Sequence, residues 1–402
     1  MPAELYRANT PQAFWRLIGD PQPTEAEWAR SIHRAIAALP EGARSDDIDS
    51  ILDKTLGEGQ FGPEHWSLSF ARKTYYRLKP VLPRPLTRRL RRLQSSGAAT
   101  ASPLGWPIEP RYVQFLWRVA GAVLATTNRS AVPFIHFWPD GHRFAFVLTH
   151  DVESDVGQKQ VRRLADLETE YGFRSSFNFV AERYRLDRGL IESLQARGFE
   201  IGVHGLKHDG MLFSSHAEFI RRAARINVHL KELGAVGFRA PLTHRQPEWM
   251  QALDIEYDLS FFDTDPYEPI PGGTMSVWPF EIGRFMELPY TLVQDYTLTA
   301  VLRETTPRIW LEKVDFIERF SGLALLNSHP DYLLEPANWH LYEQFLQEMQ
   351  RRDGSYWHAL PREVARWWRA RREVAAPDLL PGAVLRTIAL DNRVGEVGIR
   401  IQ

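Results

Sequence analysis

The chain has no cysteine. Disulfides, thiolate nucleophiles and thiolate metal ligands are therefore excluded. It also lacks an excess of charge: 49 Lys and Arg stand against 50 Asp and Glu, a formal net charge of -1. No global field recruits nucleic acid, and none is expected as a partner. The opening Met-Pro-Ala-Glu-Leu-Tyr-Arg has no basic segment followed by an apolar core, so no secretory signal is visible. The most apolar helical stretch, Tyr112 to Thr126, is interrupted by Gln114 and Arg118 and is too short to span a bilayer. A soluble cytoplasmic protein is the default expectation. No internal repeat and no extended low-complexity tract is apparent. What the chain has is length and apolar content: 402 residues, 44% hydrophobic and 12% aromatic, enough for a large core. Length alone suggests two or three domains, or one large barrel with additions.

The first part reads as helical. Thr24-Glu-Ala-Glu27 is a capping box that opens a helix ending near Pro40. A second helix is expected over His65–Leu78 and another over Pro110–Ala125. Between them lies a basic run, residues 79–92, with Leu86, Leu90 and Leu93 on one face. Contact with a membrane surface or an anionic lipid carrier is one reading of that run, and a solvated helix packed through its leucines is the preferred one. Ser95 to Pro103 reads as a flexible connection. From about Phe134 strands and helices alternate, which implies parallel pairing. Strands are expected at 144–149, 175–180, 199–203, 236–239, 257–261, 285–288 and 323–327, and the tail 383–402 is expected to form a β hairpin. The boundaries read as a helical N-terminal region at 1–130, an α/β unit at 131–375 and a β-like extension at 376–402.

Chemistry-bearing residues gather where the apolar strands end. Phe144-Ala-Phe-Val-Leu-Thr is a buried strand by its unbroken apolar run, and it finishes in His150, Asp151 and Glu153. Alternation puts Asp151 and Glu153 on one face and Val152 on the other. Glu200-Ile-Gly-Val carries His204 and His208, four apart, a spacing that places two imidazoles on one side of a helical turn. With one carboxylate they would form a common open catalytic metal site. Arg239 ends the next strand and is suited to pairing with a catalytic carboxylate. Phe262-Asp263-Thr-Asp265 is a polar loop in which one aspartate could orient a histidine, and Asx-turn duty is expected of at least one. Leu323-Ala-Leu-Leu-Asn-Ser ends in His329, a group able to protonate a leaving amine. Trp278, Tyr267 and Tyr290 are candidates to line a sugar site, although core packing is the commoner role for such residues.

This ordered set resembles the polysaccharide deacetylase family, the carbohydrate esterases that share the NodB homology domain. The matching stretches are Thr149-His-Asp-Val-Glu153, His204-Gly-Leu-Lys-His208, Arg239-Ala-Pro241, the Asp263/Asp265 loop and the strand ending at His329, within about Phe134 to Arg372. The resemblance implies a distorted (β/α) barrel, here with an added N-terminal helical region and a short C-terminal β-like tail. It also implies a metal-dependent amide hydrolase with one divalent ion, Zn²⁺ being the expected one. Residue by residue, it gives Asp151 as the base, His204 and His208 as metal ligands and Arg239 as the residue orienting the base. His329 becomes the acid, supported by Asp263 or Asp265, and the backbone N–H of Leu242 helps bind the oxyanion. Two positions depart from the family's pattern. Val152 stands where a second, ligating aspartate is usual, which makes Glu153 the substitute ligand; the other assignment gives the ion to Asp151 and takes the base away. Gly205 stands where Ser or Thr is usual. The expected reaction is removal of an N-acetyl or other N-acyl group from an amino sugar of a polysaccharide or its precursor. The alternatives are hydrolysis of a small non-sugar amide, and a non-catalytic glycan-binding protein on the same fold.

Overall fold

The computed structural model describes residues 2–66, 97–374, 378, 380–391 and 398–402. The basic run at 79–92, and nearly all of the helix expected over His65–Leu78, lie outside the described residues. The strands in chain order are β1 (Ala131–Ile135), β2 (Phe144–Val152), β3 (Ser176–Phe179), β4 (Glu200–Val203), β5 (Gly237–Phe238), β6 (Tyr257–Asp258), β7 (Phe280–Ile282), β8 (Phe285–Glu287), β9 (Leu323–Ser328), β10 (Tyr356–His358), β11 (Leu385–Asp391) and β12 (Gly398–Ile401).

Strands β9, β2, β3, β4, β5, β6 and β8 lie side by side in that order, every neighbouring pair parallel. The ring closes beyond β8. Tyr290 bridges to Phe262, just past β6, and Leu292 bridges to Leu326 in β9, both in parallel. The result is the expected distorted (β/α) barrel. β7 folds back antiparallel on β8, and β10 runs beside the start of β2.

All nine residues of β2 are buried, because the barrel interior covers one face and helices cover the other. The helix Asp155–Glu170 starts directly after it. Ser154 Oγ accepts from the Gly157 N–H at 3.1 Å, and Val161, Leu164 and Ala165 turn a single apolar face to the sheet. The abrupt change from strand to helix leaves Glu153 at the barrel's carboxyl rim. The expected capping site at Thr24 and a second one at Ser215 hold their helices in different ways. Thr24 and Glu27 form the reciprocal box. At Ser215 only the hydroxyl half forms, because Glu218 is drawn away to Arg221 and Arg222.

The tail forms a β hairpin from β11 and β12, with its connection outside the described residues, and adds to β1 in an antiparallel sheet. That sheet and the helix Glu25–Ala35 both pack on the helix Arg111–Thr126. Chain start, chain end and barrel thus share one hydrophobic cluster. Its aromatic part contains Phe14, Trp117, Phe137 and Trp278, with the Trp117 and Trp278 rings 5.5 Å apart and nearly parallel. The indoles of Trp138 and Trp278 both donate to the carbonyl of Ser321, just before β9. Trp278 therefore belongs to a plug at the amino end of the barrel, opposite His329, and not to a substrate site. Its large apolar surface is what carries it into the core.

Candidate metal centre and active site

The strand ends converge at the carboxyl rim. On β2 the alternation holds. Thr149 and Asp151 face the barrel interior, where Arg239 reaches both, and Glu153 continues on that side. His150 points outward into a fully buried network, with Glu168 Oε1 at 2.7 Å and Ser328 Oγ at 2.8 Å. It ties β2 to β9 and to the covering helix.

Glu153, His204 and His208 offer ligand atoms that all lie within 4.8 Å of one another. His204 Nε2 is 4.0 Å and His208 Nε2 2.9 Å from Glu153 Oε1. Both Nε2 atoms are buried without an aligned hydrogen-bond partner. His204 donates from Nδ1 to the carbonyl of Arg239 at 3.0 Å, which leaves the Nε2 lone pair pointing into the cluster. Burial pushes the His204 imidazole down to about 4, so it is neutral at physiological pH, the form that ligates. Two neutral-capable imidazoles and one carboxylate aimed at a common point suit a divalent ion with open positions.

The two histidines do not share a helical turn as their spacing suggested. The chain between them bends, with Gly205 at φ 65° and His208 at φ 51°. Gly205 is forced by a close approach. A Cβ there would lie 2.6 Å from the Pro241 ring, so the Ser or Thr of the family's pattern has no room. Arg222 forks onto Asp209 at 2.7 and 2.9 Å and holds the end of this loop.

Asp151 accepts from three donors, Asn178 Nδ2 at 3.1 Å and Arg239 Nη1 at 3.2 Å on Oδ1 and Asn327 Nδ2 at 3.0 Å on Oδ2, which leaves one acceptor position on Oδ2. Burial alone would raise its carboxyl. Arg239, the nearby imidazoles and the Asn178 amide overcome this and hold it well below the usual carboxylate range. Glu153 behaves likewise: burial raises it, and His208, His329 and His204 hold it low. No hydrogen bond from a donor other than an imidazole reaches Glu153 among the described residues, so its lone pairs face the histidines.

His329 sits across from this cluster, its Nε2 3.7 Å from Glu153 Oε1. Its partner is neither Asp263 nor Asp265. Asp263 is buried against Lys313 Nζ at 2.8 Å, and Asp265 Oδ1 accepts from the Tyr267 N–H at 2.8 Å in an Asx turn. Asp295 takes the place beside the imidazole, with Oδ1 2.7 Å from His329 Nδ1 and Oδ2 accepting the His329 backbone N–H at 2.8 Å. Register explains this. Leu292 pairs with Leu326, so residues three further on, Asp295 and His329, arrive at the same level. Burial would lower the His329 imidazole, but Asp295 beside it, aided by Glu153 and Asp151, raises it to about 10. A histidine raised from its ordinary 6.5 stabilises the fold fully below pH about 6.5, and loses that contribution as pH rises through about 10. With chelator present, urea midpoints of wild type and His329→Gln are expected to differ most at neutral and acidic pH and to converge toward pH 10. A gap that widens with pH would contradict this.

Sequence reasoning missed Asn178, Asn327 and Asp295. The two asparagines are polar residues inside apolar strands. Register sets Asn178 directly opposite Asp151 and Asn327 opposite Thr149. Gly202, the β4 neighbour of Asn178, makes room for it, since a Cβ on Gly202 would come within 2.1 Å of Asn178 Oδ1. Gly202→Ala is expected to cost about 1–3 kcal/mol by overpacking and to push Asn178 off Asp151, read as a lower urea midpoint. Tyr290 packs at a tilt against Phe262 at 5.2 Å and Tyr267 meets Trp106 edge-on at 5.1 Å. Leu242 lies in the turn directly after Arg239. Leu242 and Thr243 are both left-handed, φ 61° and 52°, each costing on the order of 1–3 kcal/mol that the surrounding contacts must offset.

No protein-family model matches this chain, and no curated protein does. Solved structures are similar to it. A protein from Mycobacterium smegmatis named as a polysaccharide deacetylase is 21% identical with a TM-score of 0.48, the match covering 61% of this chain and 95% of that one. One from Pseudomonas aeruginosa PAO1, named likewise, is 18% identical with a TM-score of 0.47, over 59% and 93%. PuuE allantoinase is 15% identical with a TM-score of 0.46, over 58% and 92%. These are likenesses in the course of the backbone. What the chain does is read from its own site. Among the described residues, no helix is long and apolar enough to cross a membrane.

Proposed function

We propose that the protein is a metal-dependent amide hydrolase that removes an N-acetyl or other N-acyl group from an amino sugar of a polysaccharide or its precursor. One observation carries the reading: a ligand triad, an ionised carboxylate and a charged imidazole meet at one rim. A glycan-binding module needs no such set. Glu153, His204 and His208 would hold a divalent ion, Zn²⁺ by their chemistry. When bound, it would supply Lewis-acid polarisation of the scissile carbonyl and a more acidic water. Asp151 accepts the proton of the attacking water, kept ionised and oriented by Arg239, Asn178 and Asn327. The Leu242 turn offers its backbone N–H to the developing oxyanion. His329, charged and steadied by Asp295, gives its Nε2 proton to the departing amine.

The test is acetate release from N-acetylated chito-oligosaccharides by zinc-loaded protein, beside a panel of small non-sugar amides. Metal-dependent acetate from the sugars supports the reading. Turnover confined to the small amides would move the substrate class. Tight glycan binding without any hydrolysis would make the protein a binding module.

A further inference from the structure

The left-handed pair Leu242 and Thr243 is held from outside the barrel. Arg245 Nη1 donates to the Thr243 carbonyl at 2.9 Å, and Nε and Nη2 of the same guanidinium fork onto Glu58 at 3.0 and 2.6 Å. The Arg245 and Glu58 side chains are fully buried. Glu58 also accepts from the Gly273 N–H at 2.7 Å and lies 3.3 Å from His65 Nε2, which fastens the N-terminal region to the loop after β6. The guanidinium sits over the Phe262 ring at 4.4 Å. On its far side the turn is gripped again. Thr243 Oγ1 donates to Glu268 at 2.7 Å, and Glu268 accepts from Gln294 at 2.9 Å, one residue before Asp295.

We propose that Glu58 is a positioning residue: the N-terminal helical region, acting through Arg245, keeps the Leu242–Thr243 turn left-handed beside the candidate site. The N-terminal region is then a working part of the rim. Glu58 itself touches no reacting atom. That the turn matters for turnover rests on the function proposed above. Its conformational control by Glu58 does not, so the two can fail separately.

Hydrogen exchange on the full chain tests this, in Glu58→Gln and Arg245→Lys. The lysine keeps a cation for Glu58 but cannot fork to Glu58 and Thr243 together. In both variants the amides of Ala240 and of residues 242–246 are expected to exchange about tenfold faster while β2 and β9 keep their protection. In a Leu242→Gly background, where glycine accepts the left-handed backbone, Glu58→Gln should add much less. Wild-type exchange at 240–246 in Arg245→Lys, or a rise spread evenly over the barrel, would overturn the proposal. If Glu58→Gln does not fold, Arg245→Lys decides alone.

Discussion

Glu153→Ala is expected to lose the metal. Wild-type protein should keep about one zinc per chain through gel filtration, the content of a three-ligand site. The variant should fall well below that, with affinity reduced by more than the roughly 10–100-fold typical of outer-shell partners. The reason is the division of labour between two acids on one strand. Asp151 spends both oxygens on Asn178, Arg239 and Asn327. Among the described residues Glu153 pairs with imidazoles, with His208 Nε2 at 2.9 Å. An ion binds where lone pairs are uncommitted, and removing Glu153 leaves His204 and His208 with only Asp151, whose Oδ2 lies 3.9 Å from His204 Nε2 but already accepts from Asn327. Zinc retained in Glu153→Ala and lost in Asp151→Ala would reverse the assignment and remove Asp151 as the base.

Asp151→Asn is expected to do the opposite: zinc stays and turnover collapses, by about 10²–10⁴-fold in kcat. The substitution is isosteric, and the Asn178 and Asn327 amides can rotate to present oxygen where one acceptor has become a donor. Arg239 keeps its contacts with Thr149 and the Leu259 carbonyl, so the barrel interior should survive. What is lost is a carboxylate held ionised by its neighbours, the property a proton acceptor needs. Equal losses of kcat and kcat/KM with unchanged zinc would fit that role. Turnover within a few-fold of wild type on a zinc-loaded sample would assign the base elsewhere.

The barrel was legible because its strands carry a strong local signal: an apolar run with a polar terminus. β2 and β9 were readable for that reason, and the inward parity of Asp151 and Glu153 followed from the period of a strand. What register decides was not legible. Asn178 matters because it is paired with Asp151, and Asp295 because Leu292 is paired with Leu326, and neither pairing is written in local sequence. The choice of Asp263 or Asp265 failed for the same reason. Both follow a strand that does not neighbour β9, and Lys313 and a turn amide claim them. The tail pairs with β1 between residues 131–135 and 385–389, beyond the reach of any window of periodicity. Trp278 was misplaced because burial sorts large aromatic rings without regard to function.

The ring of strands has a seam. Between β8 and β9 it is closed by Tyr290, Thr291 and Leu292 with single bridges on either side, where β2 and β9 pair over six residues. Asp295 and His329 stand on opposite banks of that seam and are joined twice, ring to carboxylate and backbone to carboxylate. His329, the proposed proton donor, is therefore also a latch. If His329 acts as proposed, each proton given up from Nε2 would remove the charge that strengthens the clamp, while the Nδ1 and backbone bonds to Asp295 stay in place. Turnover and a slight loosening of the barrel would then share one period, with the mouth easing at the step when product has to leave.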